Sequence, residues 1–160
     1  MAATTKWIGG TGGLAWVAAG FTATDFNSLA AGNCVVASTA IPNETNLDIY
    51  AVVSFSMVVG GTTTANSYLS LYWLPLNQDG TTYGDGTTTG AAAPATQYWL
   101  TNVNVLSGVA AGSAVVGTFA PQTVPPVAGK WAIVNNLGVA LSATAAALVA
   151  QQLFDVNLNG

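Results

Sequence analysis

The chain has no histidine, no arginine and only two lysines, Lys6 and Lys130, in 160 residues. Without histidine there is no Ser-His-Asp triad, because the general base is missing. Without arginine and with two lysines, contact to a phosphate backbone has almost nothing to rest on, and a pI near 4.1 repels that backbone. Nucleic-acid binding is therefore not expected. Cys34 is the single cysteine, which rules out an internal disulfide and a thiolate metal cluster. Its neighbours Val35 and Val36 mark it as a buried strand thiol. The cleanest apolar run, Leu137 to Ala150 with Ser142 and Thr144 inside it, is shorter than the roughly 18 residues that a membrane-spanning helix requires. The apolar stretch after Lys6 is broken by Gly9, Gly10, Gly12 and Gly13, so no signal peptide is expected.

Charge is scarce altogether. Six acids and two lysines give a net charge of -4, and charged residues make up 5% of the chain, against about a quarter in ordinary soluble domains. Threonine, serine, asparagine, glutamine and glycine supply the polar surface instead. Apolar residues reach 51%, and five each of Trp, Tyr and Phe exclude a disordered chain. The length suits one domain with a substantial core. An uncharged, wet surface puts little electrostatic repulsion in the way of close packing between copies.

What is present is β pattern. From Ile49 to Val59 the odd positions are Ile49, Ala51, Val53, Phe55, Met57 and Val59, with Ser54 and Ser56 opposite, which predicts a strand with one inward face. Tyr68 to Leu76 is apolar on both faces, so it is a central strand or has one face under a partner. Residues 77–94 hold Asp79-Gly80, Gly84, Asp85-Gly86 and Gly90 and form a loop. Further strands are predicted over 98–106, 114–119 and 130–134, with short ones at 5–8, 14–17 and 139–141. Residues 144–158 alternate in a way that favours a final long strand, although their alanines suit a helix. Thr24 to Leu29 is expected to form one helical turn capped by Thr24 or Asp25. With no long amphipathic helix to cover a parallel sheet, the reading is all-β: an antiparallel sandwich of about eight strands over 34–160, with residues 1–33 as an extended N-terminal arm or edge segment.

Candidate chemistry is thin. Asn77-Gln78-Asp79-Gly80 through Asp85 faintly resembles a calcium loop, but it lacks the ligand spacing and closing Glu, so a plain turn is expected. Glu44 and Asp48, four apart beside Pro42-Asn43, suit capping or solvated roles rather than a glycosidase pair. The Gly9-Gly10-Thr11-Gly12-Gly13 stretch has no phosphate-loop lysine and reads as a hinge. Lys130 is expected to begin a strand with its head in water. No catalytic residue, metal or cofactor is indicated, and the chain is not expected to be an enzyme.

The aromatics are the candidates for recognition. Trp7 and Trp16, in the arm, are the best placed to dock on a partner. Tyr72 and Tyr98 flank the 77–94 loop and join them as candidate contact residues, whereas Trp73 and Trp99 are expected in the core.

Two stretches carry a resemblance: Tyr68-Leu69-Ser70-Leu71-Tyr72-Trp73-Leu74-Pro75-Leu76-Asn77-Gln78-Asp79-Gly80-Thr81-Thr82-Tyr83, and the run from Lys130-Trp131 through Asn135-Asn136 to Leu141-Ser142. In strand and turn style over about 34–160 the chain resembles small virion proteins of tailed bacteriophages, in particular capsid decoration or cement proteins with a jelly-roll-like sandwich. The resemblance implies a homo-oligomer, a trimer being one form. It would sit on the outer capsid surface, be made in the host cytoplasm, and bridge copies of the major capsid protein. It carries over no functional residue. The alternatives are a receptor- or glycan-binding tail, fibre or adhesin module working through loop 77–94, and a self-polymerising surface subunit. A small outer-membrane barrel fits the alternation but not the missing lumen charges.

Overall fold

Alternation decides where the strands form. In the computed structural model, residues 4–9 and 16–159 are described, with the side chains of 16–44 and 47–154. Ten strands follow in chain order: β1 Thr4–Gly9, β2 Val17–Ala18, β3 Cys34–Val36, β4 Tyr50–Val58, β5 Tyr68–Pro75, β6 Trp99–Asn104, β7 Ala114–Thr118, β8 Gln122–Thr123, β9 Gly129–Asn136 and β10 Leu148–Asn159. Single helical turns occur at Asn43–Asn46 and Thr96–Tyr98. Among the described residues no helix is long and apolar enough to cross a membrane.

The strands make two antiparallel sheets. One has the order β1-β10-β4-β7, with β2 also on β10 and β8 also on β4; the other has the order β3-β9-β5-β6. The antiparallel pairs are nested: β5 with β6, β4 with β7, β3 with β9, β2 with β10. A long hairpin of strands folded over into two facing sheets is a jelly roll. Because β-strands place successive side chains on opposite faces, one inward row per strand fills the space between the sheets. Ala51, Val53, Phe55 and Met57 of β4 meet Leu69, Leu71 and Trp73 of β5, Trp131 and Ile133 of β9, and Val149 and Leu153 of β10.

Several local expectations are corrected. The 139–141 stretch is not a strand; Leu141 makes an isolated bridge to Val59. Residues 24–29 are successive turns rather than a capped helical turn, and the Asp25 carboxylate reaches back to accept bonds from the Thr22 amide and hydroxyl. Phe26 and Leu29 from this segment are buried in the main core beside Ala19. Asp48 is buried rather than solvated, with its amide bonded to the Asn43 side chain. Residues 144–159 resolve to a strand from Leu148 onward, because the segment pairs with β4 along one edge and β1 along the other. Of the 14–17 candidate strand, residues 14–15 lie outside the described residues, as do 10–13 of the glycine hinge.

Candidate interaction surfaces

The outward faces of the two sheets are finished differently. On the four-stranded sheet, the outer face of β5, β9 and β3 carries an apolar patch: Tyr72, Leu74, Ala132, Val134 and Cys34 form a second small core. Such a patch in water needs a cover, and residues 77–98 provide it. Tyr83 and Tyr98 pack onto the patch, and Gly84 brings the backbone against Leu74 at φ +56°, where a Cβ would come within 2.8 Å of Leu74 Cδ2. The loop also seals the free edge of β3. The Cys34 amide donates to Ala91 O, the Gly90 amide to Cys34 O, and the Val36 amide to Thr89 Oγ1.

The acids of this loop are structural. Asp79 accepts bonds from the Thr81 and Thr82 amides and the Thr82 hydroxyl. The Thr82 hydroxyl bond first, and the two amides after it, hold the Asp79 carboxyl down to about 2. Asp85 accepts from the Thr87 hydroxyl and amide and from the Ala95 amide; the Thr87 hydroxyl bond is the main cause of its lowered pKa. Both carboxylates are engaged in turn geometry. Among the described residues no group of three or more His, Cys, Asp or Glu comes together to hold a metal ion. Cys34 is fully buried, and burial pushes its thiol up to about 11.

Beside the loop lies a groove of about 520 Å³, lined by Thr81, Tyr83, Thr88, Ser38, Asp25 and Lys130 among others. The Lys130 ammonium lies 4.8 Å from the Tyr83 ring centroid and donates to Ser38 O at 3.2 Å. Its head is tethered to the protein at the exposed rim of the groove.

Among the described residues, no segment covers the outer face of the six-stranded sheet in this way. Its rows run Val52, Ser54, Ser56 and Val58 on β4, Leu148, Ala150 and Gln152 on β10, and Ala114, Val116 and Thr118 on β7. No charged side chain interrupts them. Val116 is 72% exposed, Leu148 69% and Trp16 48%, and the three border one shallow trough floored by Ser54, Ser56 and Ala150. At one end Tyr50 and Phe154 stack, with ring centroids 5.7 Å apart.

The four candidate aromatics are therefore dispersed. Trp16 lies at the uncharged trough. Tyr72 is 7% exposed under the loop and offers little to a partner, and burial raises its pKa. Tyr98 is half-buried as part of the cover. The side chain of Trp7 lies outside the described residues, although its backbone pairs with Val156. Trp73 is in the core, but Trp99 is 47% exposed, against expectation. The register shifts at Leu71/Tyr72, so Thr101 faces Leu71 while Trp99 faces Tyr72. The extra residue, Leu100, turns inward and Trp99 outward. The sequence reading marks neither Val116 nor Leu148. The available signal was that Val115-Val116 and Leu148-Val149 are apolar on both faces of their strands, which leaves one face to be covered from outside.

No family model matches the chain, and no curated protein matches it.

Proposed function

We propose that this chain is a structural virion protein that attaches to the outer surface of a capsid, bridges copies of the major capsid protein and so stabilises the shell. The observation that carries the reading is the outer face of the six-stranded sheet, which among the described side chains is uncharged and exposes Val116, Leu148 and Trp16. Contiguous exposed apolar surface marks a docking site. A jelly roll is an architecture shared by viral capsid and lectin domains, and a chain that binds only the assembled shell stabilises it by mass action. The role is a non-enzymatic one. Undecorated tailed-phage capsids mixed with the purified protein test it. Saturable co-sedimentation is expected, with Leu148→Asp lowering occupancy by at least about tenfold, since a buried Leu contributes about 1.5–3 kcal/mol. No co-sedimentation of the wild-type protein, or equal occupancy by Leu148→Asp, overturns the reading.

A second reading, saccharide recognition by a receptor-binding module, is favoured by the groove beside loop 77–94, where threonine hydroxyls surround Tyr83. It requires ligand-dependent quenching of tyrosine and tryptophan emission, which a purely structural protein does not show.

A further inference from the structure

We propose that β7 is a self-recognition edge, and that two copies of this chain pair antiparallel through Ala114–Thr118 to make one continuous sheet across a twofold axis. The inference does not depend on attachment to a shell. It starts from the unequal treatment of the sheet edges. The edge of β3 is filled by the 88–91 backbone and Thr89. On β6 the Thr101 hydroxyl reaches the Asn102 carbonyl and the Trp99 indole holds the Asn102 side chain. The short β8 lies between Pro121 and Pro125, which cannot donate to a ladder. By contrast, β7 carries no charge, no proline and no bulge in its register with β4, the devices by which natural edges avoid pairing.

Its hydrogen-bonding geometry leaves a specific set of groups free. The Phe119 amide donates to Val53 O and the Val59 amide to Ser113 O. In an antiparallel ladder the bonded positions alternate, so Val115 and Gly117 face β4, while the N–H and C=O groups of Ala114, Val116 and Thr118 face outward. A row of such groups is satisfied by another strand. The row is self-complementary about Val116: Val116 meets Val116 of the second copy, and Ala114 meets Thr118 in both directions. All these side chains are exposed and uncharged, so no like charges oppose one another. Each matched pair exchanges both of its backbone bonds, and a contact in which a patch meets its own copy closes as a dimer. The bare faces of the two sheets then form one surface with both troughs on the same side.

The test uses the whole 160-residue chain alone. Sedimentation velocity from about 1 µM to about 100 µM is expected to show a monomer–dimer equilibrium. Val116→Pro removes the central outward donor without touching a bond inside the chain, and is expected to sediment as monomer over that range. Val116→Lys places two ammonium groups opposite each other on a position already exposed, and is expected to do the same with an unchanged thermal melt. Should the proline variant fail to fold, the lysine variant and wild-type amide exchange decide the matter. The Ala114, Val116 and Thr118 amides are expected to gain protection as concentration rises. A wild-type monomer throughout, a trimer, or a dimer that survives Val116→Lys with those amides exchanging freely overturns the proposal.

Discussion

A methyl group on Gly129 would overlap the indole of Trp73, and Trp73 in turn packs edge-on against Trp131 with centroids 4.7 Å apart and ring planes at 70°. The absence of one side chain therefore sets the position of two large ones in the middle of the core. Gly129→Ala is expected to destabilise the fold by about 1–3 kcal/mol, the usual cost of overpacking, read as a lower urea midpoint with an unchanged slope. An unchanged midpoint would mean that the Trp73 ring relaxes freely. Trp131 is further fixed by the bond from its indole N–H to the buried Gln151 side chain. At this scale much was legible: Trp73 lies between Tyr72 and Leu74, Cys34 is followed by Val35 and Val36, and both are buried. Gln151 as an inward polar residue was not, because its partner is 20 residues away on another strand. Trp99 was misread because one extra residue in a strand reverses the faces of everything before it.

The 77–98 loop behaves as an element in its own right, with its own apolar contacts and its own turn acids. Asp79 has a folded value of about 2, below its ordinary 3.8. A depressed carboxyl contributes stability that is fully present above the unfolded pKa and is lost as pH falls through the folded one. The loop is therefore expected to hold above about pH 4 and to loosen on acidification toward pH 2. The Thr81 and Thr82 amide proton shifts, which report on bonds to this carboxylate, should titrate with a midpoint near 2 and not near 3.8. Midpoints near 3.8 would show that the turn is not formed in solution. The loop residues and their turn chemistry could be read from Asp-Gly spacing. That the loop covers β5 could not, although the two apolar faces of β5 pointed to a central strand or one with a face under a partner. Periodicity tells which face is apolar, and the identity of the cover depends on where the chain returns in three dimensions.

For the molecule as a whole, one sheet is closed by the chain itself and the other is uncovered among the described residues, and neither follows from composition alone. An antiparallel sandwich was legible from strand number and the lack of amphipathic helices. The jelly-roll order was not derivable from the strand pattern, since alternation assigns faces and not neighbours. The resemblance was what pointed to it. The near absence of charge acquires a location only with that order. Eight ionisable acids and lysines serve 160 residues, and the described face of the six-stranded sheet carries none of them. Attachment through such a face is driven by apolar burial, which salt does not screen, whereas an interface between fixed charges weakens as the Debye length shrinks from about 10 Å to about 3 Å between 0.1 M and 1 M ionic strength. Capsid occupancy is therefore expected to change by less than about threefold across that salt range, and to rise in the presence of sulfate, which strengthens burial. A fall of an order of magnitude or more in sodium chloride would place the contact elsewhere, on the groove that holds Lys130 and Asp25, because there the described surface brings opposite charges into one cleft.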